Sequence, residues 1–533
     1  MRRVGSALTA LVLAGALGAC TSSDPAPRSV VRQAASKAGE FLVFYASGQK
    51  DSALAAVKRA GGTAVSTEPK LGYVLARGLG DRFITAVGDD ASVVGVSANL
   101  AIGYASSRSA GVSAGRTASR APEAAGEPLA GRQWDMRMIG ADRAHAKLPG
   151  SRKVLVGVID TGIDGNHPDI APNFNRELSR NFVTDLPKDP GGEKLDGPCE
   201  VATCKDPVDE DDDGHGTHVA STIASPVNGI GIAGVAPGVQ LVNIRAGQDS
   251  GFFFLKPSLD ALTYAGDIGV DVVNMSYYVD PWLFNCADSK GDSTKERLEQ
   301  RAILTGMQRA VDYARGKGVT IVSALGNGAS DLGKPREDRA SPDYPQGDER
   351  ARKIDNSCLN VPAESRGVIS VSAVGPSGRK ASYSDYGVEQ TDVAAPGGDA
   401  MDGDGESVTR QILAAAPEGA LRAEGKLDKS GKPKSAEIVR DCTKGTCSYY
   451  QYLEGTSMAA PHATGVVALL ISRFGKVGPA RVEKLLYESA RAKACPSPRR
   501  FTYPSSGDTH VCEGGKAKNG FYGHGIVSAT VAP

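Results

Sequence analysis

Hydrophobic and polar positions along this chain follow three patterns in succession. Arg2 and Arg3 precede an apolar run from Ala7 to Leu17 and then small residues, the order of a secretory signal peptide; the run is too short for a mature membrane span. Residues 40–105 alternate short apolar and polar stretches. Phe41–Ala46 reads as a strand, Asp51–Ala60 as a helix ending at Gly61-Gly62, and Gly72–Ala76 as a strand; Asp81–Val87 is a second helix and Ala91–Ile102 is extended. The order β-α-β-β-α-β predicts a small α+β, ferredoxin-like sandwich. Beyond a Ser/Ala/Gly/Arg stretch too poor in apolar residues to fold, Val154–Ile159 is apolar throughout, as in a parallel strand buried on both faces. Ala463–Phe474, with Val466, Val467, Leu469, Leu470 and Ile471, has the pattern of a buried helix.

Three polar side chains interrupt these apolar elements at their ends. Asp160 follows the Val154–Ile159 strand, at the carboxyl edge where open α/β sheets carry their sites. His215 opens a small-residue helix in Gly214-His215-Gly216-Thr217-His218. Ser457 lies in Gly455-Thr456-Ser457-Met458-Ala459-Ala460-Pro461-His462, where a helix N-terminus favours a developing anion. Pro461 fits a first helical turn, which needs no N–H there. Taken singly, these are a turn aspartate, a capping histidine and a serine N-cap. Together they supply what serine nucleophilic chemistry needs: a hydroxyl, a base and a carboxylate to orient the base.

The three motifs, in the order Asp, His, Ser, resemble the subtilisin-like serine proteases. The likeness continues through Ser323-Ala324-Leu325-Gly326-Asn327-Gly328, Val272-Val273-Asn274-Met275-Ser276 and Ser382-Tyr383-Ser384-Asp385-Tyr386-Gly387. It covers about residues 130–530. It implies a doubly wound, mostly parallel α/β fold with helices on both faces, Asp160 as orienting carboxylate, His215 as general base and Ser457 as nucleophile. Asn327 matches the oxyanion-hole amide. Ser276, Tyr277, Tyr278, Ala324, Leu325 and Gly326 match the segments against which substrate pairs as an added strand. Relatives usually have Leu-Gly-Gly after Asn-Met-Ser; here Ser276-Tyr277-Tyr278-Val279 puts Tyr278 in place of a glycine that leaves the first specificity pocket open. Stacking on a substrate aromatic, blocking large side chains and plain packing are all open readings of that tyrosine. The implied activity is peptide-bond hydrolysis through an acyl-enzyme, rising across about pH 6 to 8 as the histidine deprotonates.

In that setting the small sandwich resembles the family's inhibitory propeptide. The expected organisation is a signal peptide at 1–19, a linker at 20–39, a propeptide at 40–105, a disordered processing linker at 106–131 and a peptidase domain at 132–533, with the mature chain starting near Gln133-Trp134-Asp135. Leu17-Gly18-Ala19-Cys20 resembles a bacterial lipobox, making Cys20 a lipidation candidate and placing the precursor at the outer face of a bacterial membrane, with the enzyme released outside on maturation. Nine cysteines are an odd number for an exported chain, and setting Cys20 aside leaves an even set. Cys199/Cys204 and Cys442/Cys447 suit local loop bridges, and Cys286/Cys358 with Cys495/Cys512 complete the simplest of on the order of a hundred pairings.

Composition narrows the alternatives. Lys+Arg and Asp+Glu are both 61, so nothing points to nucleic acid; peptide substrates, the propeptide and any lipid on Cys20 are the expected partners of a monomer. His215 and His218 lack the glutamate and spacing of a zinc protease, and His218 and His462 read as packing residues. No cofactor is required. The acidic run Asp209–Asp213 reads as a solvated loop, a structural calcium site or a lure for basic substrates. An α/β-hydrolase esterase is excluded by the Asp, His, Ser order and the absence of Gly-x-Ser-x-Gly around Ser457. An inactive scaffold is disfavoured by the intact polar set. Gly397–Glu454, long and rich in Lys and Gly, reads as a surface insertion with one or two strands around Gln411–Ala415.

Overall fold

Period-two alternation at the start of the described chain decides how two domains come together. The computed structural model describes residues 38–99, 126–188, 194–279, 281–344 and 347–530; the signal peptide, Cys20 and most of the processing linker lie outside them. Strand β1 (Ala38–Tyr45), helix α1 (Lys50–Arg59), strands β2 (Thr63–Glu68) and β3 (Tyr73–Leu79), helix α2 (Gly80–Gly88) and strand β4 (Val93–Ala98) form an antiparallel sheet in the order β2-β3-β1-β4. Because successive side chains point to opposite faces, Phe41 and Val43 pack with Val57, Phe83 and Ile84, whereas Leu42 and Phe44 join a core belonging to the following domain. β2 lies at the sheet edge and is largely exposed. Its residues carry little apolar signal, which is why the β-α-β-β-α-β order implies a strand there that the sequence does not delimit.

The second domain is built on β5 (Leu155–Ile159). After a short helix α3 (Trp134–Ile139), the elements are β5, β6 (Arg180–Asn181), α4 (His215–Ala224), β7 (Gln240–Arg245), α5 (Leu255–Ile268), β8 (Val272–Met275), α6 (Thr294–Gly316), β9 (Thr320–Ala324), β10 (Val368–Val374) and β11 (Val393–Pro396). Seven parallel strands run β11-β10-β9-β8-β5-β7-β6. Val156 and Val158 of β5 enter the core beneath α4, and Ile159 enters the core beneath α5 and α6, so the run is apolar throughout because both faces are covered. Strand order reverses at β5, opening a crevice beyond its carboxyl end.

Three further strands, β12 (Ile412–Ala415), β13 (Ile438–Asp441) and β14 (Ser448–Leu453), form an antiparallel sheet in the order β12-β14-β13. They precede the long helix α7 (Thr456–Phe474), and a final hairpin pairs β15 (Arg500–Thr502) with β16 (Thr509–Val511). The segment expected to be a surface insertion divides: its Lys- and Gly-rich stretches, such as 422–425 and 434–436, are exposed, whereas its strands form a buried wall. Ile412, Leu413, Tyr450 and Tyr452 belong to the main core, and Ala415 N–H donates to Ser221 Oγ on α4 at 3.0 Å. Disulfides join Cys199–Cys204, Cys286–Cys358, Cys442–Cys447 and Cys495–Cys512.

The first domain sits on α5 and α6. A Cβ at Gly95 would lie 2.5 Å from the Ala302 nitrogen, so β4 runs directly over α6. Arg309 donates to the carbonyls of Tyr45, Leu71 and Gly72 at 3.0 Å each. One boundary moves. Residues 126–131, assigned to a disordered linker, are part of the second domain: Glu127 is buried and accepts from Asn228 N–H at 2.8 Å, and Leu129 N–H donates to Gly231 O at 2.7 Å. A mature chain starting at Gln133 would lose both contacts.

Candidate active site

Asp160 begins where β5 ends. Its backbone carbonyl accepts from Ala246 and Gly247 N–H at 3.0 Å each, which fixes the turn. Its Oδ1 accepts from Thr161 N–H at 2.8 Å and from His215 Nδ1 at 2.7 Å. With Nδ1 carrying the proton toward the carboxylate, Nε2 of a neutral ring holds the lone pair. That nitrogen is buried and makes no hydrogen bond.

The acidic run before His215 is only partly solvated: Glu210 is exposed, but Asp211 has a structural role. Asp211 is buried and accepts from Gly214 N–H (2.9 Å), Thr217 N–H (2.9 Å), Thr217 Oγ1 (2.6 Å) and Thr161 Oγ1 (3.0 Å), which secures the start of α4. Asp213 Oδ1 accepts from His215 N–H at 3.0 Å. These groups also set the imidazole's basicity. Burial, the largest influence, pulls it down, but the carboxylates of Asp160, Asp213 and Asp211 together outweigh burial and raise His215 to about 9.

Ser457 is the second residue of α7, which starts at Thr456 rather than Ala463. Pro461 therefore sits inside the helix, not in its first turn, and cannot donate to the carbonyl four residues back, that of Ser457. Ser276 supplies the missing donor: its Oγ bonds Ser457 O at 3.1 Å. In return Ser457 Oγ donates to Ser276 O at 3.2 Å. Asn274 Nδ2 donates to Ser276 Oγ and Thr464 Oγ1 to Asn274 Oδ1, both at 2.9 Å, extending the chain back into α7. In the parallel register Ile159 pairs with Met275, so Asp160 and Ser276 emerge side by side. Through them the carboxylate, the imidazole and the hydroxyl gather at one end of the sheet.

Asn327 arrives from the neighbouring strand β9. Its Oδ1 accepts from Thr456 N–H and Thr456 Oγ1 at 2.9 Å each, and Gly326 N–H donates to Thr456 Oγ1 at 3.1 Å. With the oxygen end held at Thr456, Nδ2 is the other end of the amide and lies near Gly455, where an added Cβ would be 3.4 Å from it.

Residues 151–525 match the sequence profile of the subtilase family. The chain belongs to that family. Fervidolysin from Fervidobacterium pennivorans is 30% identical over 374 residues, 68% of this chain but 41% of its own length. Subtilisin DY from Bacillus licheniformis is 26% identical over 357 residues, 67% of this chain and 90% of its own length. Thus the chain spans less than half of fervidolysin and most of subtilisin DY. Among solved structures, the epidermin leader peptide processing serine protease from Staphylococcus aureus superposes with a TM-score of 0.61 at 22% identity, covering 93% of this chain and 98% of that one. The structure of fervidolysin superposes at 0.57 and 23% identity, covering 94% and 62%. These likenesses establish the fold, and their extent reaches into the N-terminal domain.

Within this subtilase the residues matched to substrate-binding segments divide. Tyr277 stacks on Phe253 with ring centroids 4.0 Å apart and is buried, and Leu325 packs with Phe284 and Cys286. Both side chains are core, so neither is available to a substrate. Tyr278 donates its hydroxyl to Asp343 Oδ2 at 2.8 Å, so the ring is tethered to a neighbouring loop. Ser276 is used in supporting Ser457, and Gly326 N–H is used on Thr456 Oγ1.

The other helix histidines are structural. His218 Nε2 bonds the carbonyls of Ile412 and Gln451 at 3.1 Å each, and burial lowers its pKa to about 3. His462 bonds Met458 O through Nδ1 at 2.7 Å and Asp135 Oδ2 through Nε2 at 3.0 Å. Sequence reading missed Asp135, which clamps α3 to the serine helix across the whole domain. His462→Leu leaves Asp135 buried without its partner; an expected loss of about 3 kcal/mol would be read as a lower urea midpoint.

Behind the histidine helix, Arg245 is enclosed by carboxylates. It donates to Asp206 Oδ2 at 2.7 Å and to Asp249, with Asp185 Oδ1 at 3.6 Å. One cation does not balance the set. Asp206, Glu210 and Asp212 also converge, and Asp185 (both oxygens), Asp206 Oδ1 and Asp212 Oδ2 are buried without hydrogen-bond partners. Burial, reinforced by Asp206, pushes Asp185 and Asp212 up to about 6.

Proposed function

We propose that this subtilase is a serine endopeptidase, made as a zymogen, that hydrolyses peptide bonds through Ser457, His215 and Asp160. The observation that carries this reading is the 2.7 Å bond from His215 Nδ1 to Asp160, which leaves a buried, unpartnered Nε2 as the base. Ser457 Oγ exchanges Ser276 O for Nε2 by rotation about its Cα–Cβ bond, then attacks the substrate carbonyl carbon while its proton passes to His215. The oxyanion is held by Asn327 Nδ2 and Ser457 N–H. The C–N bond breaks as His215 returns the proton to the leaving amine. A water, deprotonated by His215, then cleaves the acyl ester and restores Ser457.

A second reading has one observation in its favour: the Ser457 hydroxyl rests on Ser276 O rather than on His215, as in a binding scaffold that keeps the fold without turnover. A serine-reactive fluorophosphonate separates the two. The protease reading expects a covalent adduct on Ser457 of matured protein and cleavage of a peptide library; an unlabelled Ser457 in folded, propeptide-free protein sinks it.

The propeptide reading of residues 40–105 rests on how that domain covers α5 and α6, with Phe44 against Gly306 and Lys70 paired to Asp267 at 2.7 Å. Lipidation of Cys20 would tether the precursor to the outer face of a bacterial membrane, and the processing cut would leave the lipid on the propeptide and free the enzyme. The released enzyme is then expected in the aqueous phase of a detergent partition. An active, propeptide-free form that stays in the detergent phase contradicts release.

The carboxylates around Arg245 fit a calcium ion, a hard cation that takes several oxygen ligands; Asp206 would hold it, together with Asp185 and Asp249 or with Glu210 and Asp212. Their raised values carry a sign. An aspartate whose folded value lies above its unfolded value, near 4, favours the folded state at low pH and loses that stability as pH rises through about 6. Metal-free protein is therefore expected to lose stability between about pH 4 and 6, and calcium to restore it. At a hundredfold excess over Kd the ion contributes about 2.7 kcal/mol. A melting temperature at pH 8 indifferent to both calcium and chelator removes the site.

A further inference from the structure

Asn327 is carried on a loop that follows β9, and the position of its amide depends on what holds that loop. Residues 326–332 lie alongside 383–386. Ala329 N–H donates to Tyr383 O at 2.8 Å and Tyr386 N–H to Ser330 O at 2.9 Å. Asp385 contributes on both sides of Asn327. Its own N–H donates to Gly326 O at 2.9 Å, one residue before, and its Oδ1 accepts from Ser330 N–H at 2.7 Å, three residues after.

The same carboxylate accounts for the two glycines that flank Asn327. A Cβ on Gly326 would lie 2.2 Å from Asp385 Oδ2, and one on Gly328 would lie 3.2 Å from Oδ1. Gly326 also adopts φ +125°, a conformation open to glycine alone in practice. The loop has thus given up side chains on either side of Asn327 to fit over a buried aspartate.

Asp385 is in turn fixed from behind. Lys380 is wholly buried, and its Nζ donates to Ala381 O at 2.8 Å and to Ser384 O, adjacent to Asp385, at 2.5 Å. The rings of Tyr386, Tyr503 and Phe521 surround the ammonium with centroids 5.0, 5.5 and 5.6 Å away, an arrangement that suits a desolvated cation. Tyr503 O–H also donates to Lys380 O at 2.8 Å. Tyr503 follows β15 in the hairpin closed by Cys495–Cys512.

We infer that Asp385, held by the ring-enclosed Lys380, is a positioning residue that sets the Asn327 amide for oxyanion stabilisation. The inference rests on the protease reading and on Asn327's place in it. Asp385 does not meet the substrate; it acts through the loop.

The test is a double-mutant cycle on full-length protein matured by immobilised wild-type enzyme, with kcat and KM read on a peptide amide. Asn327→Ala is expected to lower kcat by about 100-fold. Asp385→Ala should lower kcat by about 10- to 100-fold with KM within about twofold of wild type. In the Asn327→Ala background the same substitution should change kcat by less than about threefold, since there is no amide left to misplace. A loss that multiplies fully in that background, or that appears in KM, overturns the inference while leaving the protease reading standing. Asn327→Ala at wild-type kcat removes Asn327 from the oxyanion hole and overturns the inference, whereas wild-type protein without turnover of the peptide amide overturns the protease reading itself. Should Asp385→Ala not fold, Asp385→Asn takes its place under the same criterion: it keeps an acceptor for Ser330 N–H but turns an amide toward Gly326. A smaller kcat loss that vanishes in the Asn327→Ala background is then the expected result.

Discussion

Ser457→Ala is expected to leave a folded precursor with its N-terminal domain still attached and with no measurable peptidase activity. The substitution removes the only atom that forms the acyl bond, so kcat should fall on the order of a millionfold, the size typical when a triad of this class loses its nucleophile. Folding should survive, because the hydroxyl's one hydrogen bond, to Ser276 O, contributes about 1 kcal/mol, whereas the Ser276 bond that replaces the missing Pro461 donor is made to the Ser457 backbone and remains. Gel analysis of expressed protein and a fluorogenic peptide assay read both effects. Mature fragment appearing at the wild-type rate would mean that another protease makes the processing cut.

Activity is expected to keep rising to about pH 9, well above the window of about 6 to 8 that an ordinary histidine implies. The base must be neutral, and His215 is raised to about 9 because Asp160, Asp213 and Asp211 outweigh the burial that opposes protonation. A base whose pKa lies above the assay pH is neutral only in proportion to ten raised to the difference, so kcat/KM at pH 6 should lie about 1,000-fold below its plateau. Asp213→Asn, which removes a neighbouring charge but keeps an acceptor for His215 N–H, should shift the profile to lower pH without abolishing turnover. A wild-type profile levelling off by pH 7 would show that the carboxylates do not govern the base.

Much of the site was legible because each of its members marks the end of an element. A strand buried on both faces must be apolar throughout, so Asp160 stands out where Val154–Ile159 stops. His215 and Ser457 open helices of small, apolar residues, and Asn327 follows a strand in a glycine-flanked turn. Phe41–Ala46 likewise read as a strand, but that both of its faces are covered appeared only with the second domain packed against Leu42 and Phe44. By contrast, β2 is an exposed edge with no pattern to read, and β12–β14 looked like a surface insertion because burial against α4 is not written in their local composition.

Contacts between distant segments were not legible at all. Pro461 seemed harmless in a first helical turn; only the fold shows that it frees the Ser457 carbonyl and that Ser276 fills the gap. Asp211 looked like part of a solvated acidic run, yet it caps the histidine helix. Tyr277 matched a substrate-facing position but turns into the core against Phe253.

The sequence alone determined which stretches become strands and helices and which polar groups stand at their ends, because periodicity and capping act over a few neighbouring residues. The tertiary structure alone decided which of those groups meet. Asp135 with His462, Asp385 beneath Gly326 and Gly328, and the surplus of carboxylates around Arg245 are hydrogen bonds and charges between residues far apart in the chain, and their geometry exists only once the layers have packed.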